Sequence, residues 1–212
     1  MATERSAKAV EKTERILTAA GSVLSQYGFA QTTIARVAEA AGVSRGLVHY
    51  HFKNKEEMLA KVLRSNMEKS VDAAKAILSQ CETPESFVNE LISAFKTLVE
   101  NDPNYFNLFL EGLVTARHSE VVCGELSVLY EEFRTSLKKG LQHMEKARGA
   151  SFPISAEGLA TLITGILDGI GMQFIMIPGM FKEEKNWDYL KKGLFLMMTA
   201  GITGGRELKS DP

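Results

Sequence analysis

Arg45, Gly46, Leu47, His49 and Tyr50 fall within six consecutive residues, and their side chains suit the surface of a nucleic acid. Arginine offers paired N–H donors that match guanine O6 and N7, and leucine can meet a thymine methyl. The His and Tyr rings carry polar tips that reach phosphate oxygens. A glycine among them lets a ligand come close to the backbone. On a helix, Val48 and Phe52 turn inward and leave this set facing out. Just upstream, Ile34, Val37, Ala38 and Ala41 follow i, i+3, i+4, i+7 spacing and give a first helix one apolar face. That helix starts near Thr33, whose hydroxyl can cap free N–H groups. Gly42 supplies the sharp turn, Val43 fills the angle between the helices, and Ser44 caps the second. The segment from Thr32 to Phe52 reads as a DNA-binding helix-turn-helix, with a recognition helix over Ser44 to His51.

The expected DNA-facing set is Thr33, Ser44, Arg45, Gly46, Leu47, His49, Tyr50, His51 and Lys55. Arg45 is expected to read a base, whereas Thr33, Tyr50, His51 and Lys55 hold phosphates. Lys55 also draws on the start of a fourth helix, which Asn54-Lys55-Glu56-Glu57 opens as a capping box. Charge follows the same division. Residues 1–64 hold ten Lys/Arg against six Asp/Glu, a net of +4; the rest hold fifteen against twenty, a net of −5. A basic head can meet phosphates while an acidic body avoids wrapping nucleic acid. A net of +4 is modest, so tight binding calls for two heads acting together.

Enzyme chemistry finds little support. There is no G-x-S-x-G, no Walker loop and no C-x-x-C. His49 and His51 are two residues apart and cannot chelate one metal as an i, i+4 pair would. No metal or other cofactor is expected. Cys81 and Cys123 read as incidental reduced thiols of a cytoplasmic protein. The hydrophilic start lacks the apolar run of a signal peptide. Leu159 to Ile177 is apolar enough to suggest a membrane span, but Asp168 and Gln173 lie inside it, and a charge near mid-bilayer is costly. A helix buried on most faces is the better reading, and no membrane partner is expected.

The run TTIARVAEAAGVSRGLVHYHFKNKEEML resembles the N-terminal signature of the TetR family of transcriptional regulators, with the match extending from Ile16 to Met58 without a gap. It includes the aromatic-His-Phe run and the Lys-Asn-Lys that follows. One departure is His49, where the family more often has Tyr. The run Leu167-Asp168-Gly169-Ile170-Gly171-Met172-Gln173 also resembles that family's penultimate helix.

The elements behind the head read as helices throughout. The fold class expected is all-α, with roughly nine helices: a helix-turn-helix DNA-binding domain over 1–54 and an effector-binding and dimerisation domain over 55–212. Leu159 to Ile177 carries an apolar stripe, with Gly165 and Gly169 one turn apart for a close helix approach. The last helix, expected over Trp187 to Leu208, has a companion stripe that reaches Gly201. Two late apolar helices suit a four-helix contact between subunits, and the resemblance implies a homodimer there. The expected interface is Leu162, Gly165, Ile166, Gly169, Leu194, Met197 and Met198.

The resemblance also implies an effector cavity in the middle of the chain. Its expected wall is Phe106, Phe109, Leu110, Leu113, Met172 and Met176, with Arg117 placed for an anionic head. An apolar wall with few polar handles is the usual small-molecule design, so the effector is expected to be apolar and neutral or anionic. The acids on these helices are Glu111, expected to turn away, and Asp168, placed in the dimer helix. The function expected is a ligand-released homodimeric repressor of a palindromic double-stranded operator. An activator or ligand-independent regulator with the same head is one alternative. An all-α enzyme or lipid-binding protein is another.

Overall fold

The computed structural model describes residues 2–200 apart from 103, 150 and 178; of residues 2–10, 69, 73 and 77 it describes the backbone alone. Nine α-helices and one short 3-10 turn account for the described elements, and no strand occurs among them. They are α1 (Ala2–Gln31), α2 (Ile34–Ala41), α3 (Arg45–His51), α4 (Lys55–Leu78), α5 (Pro84–Asn101), α6 (Tyr105–Ala116), α7 (Glu120–Arg148), α8 (Ala156–Met176) and α9 (Glu184–Thr199). The all-α expectation holds. Two compact units form: residues up to 70 with 102–131, and residues 71–101 with those from 132 onward.

In the first unit, α1 packs on α2 and α6, and α2 packs on α3. Short-range chemistry sets each boundary. The Thr33 hydroxyl accepts from Arg36 N–H at 3.2 Å and starts α2. Gly42, with φ +62°, ends it. Its N–H donates to Glu39 O at 3.1 Å and that of Val43 to Ala38 O at 3.0 Å, a Schellman closure. Ser44 accepts from Leu47 N–H and starts α3. Val37, Ala38, Val48 and Phe52 are buried beneath these turns. Truncating Phe52 to Ala would cost about 3–5 kcal/mol in lost burial and cavity. The fourth helix starts with a variant of the expected box. Asn54 Oδ1 accepts from Glu57 N–H at 2.8 Å, but the Glu57 carboxylate accepts from Lys53 N–H at 2.7 Å rather than from Asn54.

The second unit is built on α5, which packs on α8 and α9. Thr83 and Ser86 cap one another at its start: Ser86 N–H donates to Thr83 Oγ1 at 3.1 Å. Phe87, Leu91, Ile92 and Phe95 on α5 are buried, as are Leu159, Ile163, Leu167 and Ile170 on α8. Trp187 is buried, donates its Nε1–H to Phe181 O at 3.1 Å, and stacks near Phe181 at 5.0 Å between ring centroids.

Two expectations about the last helices change. The last helix begins at Glu184, three residues before Trp187. Its expected continuation through Gly201 to Leu208 lies outside the described residues. Leu194 and Met198, expected at a subunit interface, are instead buried inside their own unit at 2% and 0% exposure. The physical reason is that α9 is apolar on two sides. Leu194 and Met198 join the core with Trp187, and the outward side carries Tyr189, Phe195 and Leu196.

Candidate nucleic-acid interface and effector helices

The helix-turn-helix forms as the spacing requires: Arg45 to His51 of the expected set lie on α3 behind the Ser44 cap, Thr33 caps α2 and Lys55 starts α4. Arg45, Gly46, His49 and Tyr50 are exposed, with Tyr50 at 83%. Leu47 and His51 are half-buried, and the His51 ring stands edge-on to Tyr50 at 5.4 Å. Thr33 and Ser44 are exposed but already accept backbone N–H groups as caps. Their oxygens keep a further lone pair for an outside donor, though not for a phosphate, which offers none. The hydroxyl protons remain for that.

Gly46 has no reason within the fold. A Cβ there would meet nothing closer than Ser44 Oγ at 4.0 Å. A glycine inside a helix weakens it by about 1 kcal/mol relative to alanine. The open space lies outward, on the side where Arg45 and His49 are exposed.

Lys55 is the most altered expectation. Its ammonium donates to Ala30 O at 3.1 Å and lies 4.7 Å from the centroid of the Phe29 ring. The side chain thus ties the start of α4 to the end of α1, leaving at most two N–H donors for a phosphate. Lys61 does the same for α3. It donates to His51 O at 2.8 Å and pairs with Glu57 at 2.9 Å. The Glu57 carboxyl is held below its ordinary value, first by the Lys61 hydrogen bond and then by Lys53 N–H.

Sequence reasoning passed over the joint at the end of α1. Gly28 breaks the helix with φ +72°, ψ 169°. Its carbonyl accepts from both Thr32 N–H (3.2 Å) and Thr32 Oγ1 (2.7 Å), and Thr32 is fully buried. Phe29 N–H, freed by the break, donates to Glu111 Oε2 on α6 at 2.9 Å. A glycine before a Thr-Thr pair is a helix-end signal; its partner 82 residues away gives none. Arg36 is also engaged, with Nη1 donating to Gln31 O at 2.8 Å and its guanidinium 4.5 Å from the Tyr27 ring centroid.

The expected effector wall lies in both units. In the first, Phe106 and Phe109 are buried edge-to-face at 6.2 Å, and Phe109 meets Tyr130 at 5.8 Å. Leu110 and Leu113 are half-buried, and Arg117 is exposed at the end of α6. In the second, Met172 is half-buried and Met176 is 81% exposed. The second unit also holds an open groove of about 440 Å³ lined by Lys75, Ser79, Glu132, Thr135, Ser136, Lys139, Gly140 and His143. None of the expected wall residues lines it.

On α8, Leu162, Gly165 and Gly169 are exposed and Ile166 is half-buried. A Cβ on either glycine would meet nothing within 4 Å. Met197 on α9 is half-buried. The helix has a mean hydropathy of 1.6 over its most apolar window, long and apolar enough by composition to cross a membrane. Its inner face nevertheless packs on α5, and what remains outward is a stripe of small and apolar residues. Cys81 is buried and Cys123 exposed. Among the described residues no cluster of three or more His, Cys, Asp or Glu is placed to hold a metal.

Comparison with known proteins agrees with this architecture. Residues 16–62 match the family described as bacterial regulatory proteins, tetR family. The HTH-type transcriptional regulator BetI of Rhizobium meliloti is 30% identical over 151 residues, spanning 71% of this chain and 73% of that protein. Two solved structures share the fold at a TM-score of 0.70. One is the transcriptional regulator FadR of Bacillus subtilis in complex with stearoyl-CoA, 18% identical, covering 88% of this chain and 97% of that one. The other is a protein of Saccharomonospora viridis in complex with choline, 20% identical, covering 87% and 94%.

Proposed function

Because the chain belongs to the tetR family of bacterial regulatory proteins, and is a DNA-binding transcriptional regulator rather than an enzyme, we propose that it acts as a homodimeric repressor. It binds a palindromic operator and leaves it when an apolar small molecule enters the body. The observation that carries the reading is the outward face of α3. It presents Arg45, a glycine the fold does not need, His49 and Tyr50 together. Arg45 reads a base in the major groove, Leu47 meets a methyl, and Tyr50, His51 and the hydroxyls of Thr33 and Ser44 position the helix on phosphates.

Two copies are needed because one head is only modestly basic. The outward stripe Leu162, Gly165, Ile166 and Gly169 on α8 is the contact we assign to the second copy. The outward side of α9 joins it through Met197, Phe195 and Leu196 in place of Leu194 and Met198. The functional division falls at residues 1–54 and 55–212, and the protein works in the cytoplasm, where operators are. The effector is neutral or anionic and meets Phe106, Phe109, Leu110, Leu113 and Arg117 of the first unit. The likeness to a stearoyl-CoA complex supports an acyl or anionic ligand, and the likeness to a choline complex supports a cation. The near absence of acids on the named wall favours the first.

Selection of bound duplexes from a random pool tests the DNA reading directly. A palindrome with two half-sites about one helical turn apart supports it. Failure to enrich any sequence, with binding indifferent to salt, refutes it.

A further inference from the structure

Phe29 N–H would be an orphan where α1 breaks at Gly28, and the group that satisfies it comes from 82 residues away. Glu111 Oε2 accepts that proton at 2.9 Å. The fit is close: a Cβ on Gly28 would come 3.0 Å from Glu111 Oε1. The next residue on α6, Gly112, is buried and faces α4; a methyl there would come 2.8 Å from Leu63 Cδ1. Two consecutive residues of α6 therefore touch the two helices that hold the head. Phe29 and Ala30 are in turn gripped by Lys55 at the start of α4, and Gly28 O by Thr32, immediately before the Thr33 cap of α2. On either side of Glu111 along α6 lie Phe109, Leu110 and Leu113, the residues assigned to the effector.

We propose that Glu111 is a positioning residue that couples α6 to the helix-turn-helix through the amide of Phe29. Packed helices shift as rigid pieces, so a displacement of α6 is carried by whatever it is bonded to. A carboxylate accepting from a backbone N–H is a charge-assisted bond, stronger and more directional than apolar contact. Displacing α6 pulls on Phe29, moves the joint at Gly28–Thr32, and with it the start of α2 and the orientation of α3. Coupling is reciprocal, so DNA held by α3 is felt at α6 without any effector present. The inference rests on the DNA-binding reading above and adds a route to it that runs through α1.

The test uses the full chain and a duplex enriched from a random pool by the wild-type protein. No enrichment would remove the DNA reading itself; everything after enrichment bears on Glu111. Amide hydrogen exchange is followed at Phe29 and across Tyr105–Ala116, with and without duplex. In the wild type, the duplex should slow exchange in α6 at least threefold. Glu111→Ala should bind the duplex within about tenfold of wild type yet lose the response of α6. Glu111→Gln keeps a side-chain carbonyl acceptor and should restore it. If melting shows Glu111→Ala unfolded, Glu111→Met is read in its place. An α6 response that survives in the acceptor-free variant overturns the proposal. So does wild-type α6 exchange that ignores the duplex, or a loss that Glu111→Gln fails to rescue.

Discussion

Lys55 reaches back to Ala30: its ammonium donates to the Ala30 carbonyl at 3.1 Å, with the Phe29 ring beneath it at 4.7 Å. The lysine best placed by sequence to hold a phosphate is thus also a strut between α4 and α1. Lys55→Ala should lower the melting temperature by about 2–4 °C for each kcal/mol lost. It should weaken all duplexes alike, and flatten the dependence of log affinity on log salt by less than the ~0.9 of a full phosphate contact. Arg45→Ala should leave melting unchanged, cost about 1–3 kcal/mol of operator affinity and relax preference at one base position. Equal, sequence-independent losses in both variants would take base reading away from Arg45.

Gly46 separates stability from binding. Its outward side is open, so Gly46→Ala adds a methyl without strain inside the chain. The helix should gain about 1 kcal/mol while operator affinity falls, because the methyl occupies the space a base or phosphate approaches. Thermal melting and duplex titration on one preparation should move in opposite directions. A stabilised protein with unchanged affinity would mean that nothing comes close at Gly46.

The glycines of α8 give a similar separation for the subunit contact. Gly165 and Gly169 are exposed and have no neighbour within 4 Å of an added Cβ, so Gly165→Leu with Gly169→Leu starts each new side chain in open space. Leucine also favours a helix over glycine. The double variant should therefore keep its fold by circular dichroism and sediment as a monomer with weak operator binding. A dimer with intact operator affinity would put the interface off this face.

Acid should weaken the start of α4. The Glu57 carboxyl is held below its ordinary value of 4.5 by its bond to Lys61 and then by Lys53 N–H. A lowered carboxylate contributes stability that is complete above the unfolded value and fades as pH falls through the folded one. Glu57→Gln should thus be less stable than wild type by a constant amount above about pH 5, with the gap closing below pH 4.5. Chemical denaturation at a series of pH values measures it. A gap that stays constant down to low pH would show that the charge on Glu57 plays no part.

The parts of this molecule that were legible in its sequence are those fixed by neighbours. Thr33, Gly42 and Ser44 act on atoms three to five residues away, and the spacing of Val37, Val48 and Phe52 already states which side is inside. The hydrogen bond from Phe29 to Glu111 is invisible at that range, since nothing in either stretch names the other. The strut from Lys55 is hidden for the same reason. Leu194 and Met198 illustrate a second limit. A helix apolar on two sides shows its period but not which side meets its own core, and only the packing around Trp187 decides that.

Gly28, at the break near the end of α1, and Gly42, at the C-cap of α2, both hold positive φ, and neither belongs to α3. Alanine at Gly42 is forced into a left-handed backbone that costs roughly 1–2 kcal/mol, and at Gly28, with φ +72° and ψ 169°, into an extended positive-φ region that only glycine adopts readily, at roughly 1–3 kcal/mol. A survey of regulator variants scored only by loss of repression would rank both glycines beside Arg45, as if they were contacts. They are hinges of the other kind, whose damage is read in the angle between helices and which no compensating change in operator sequence can repair. Pairing each variant with its own reselected duplex would sort the two classes: an altered reader finds a new sequence, and a bent frame finds none.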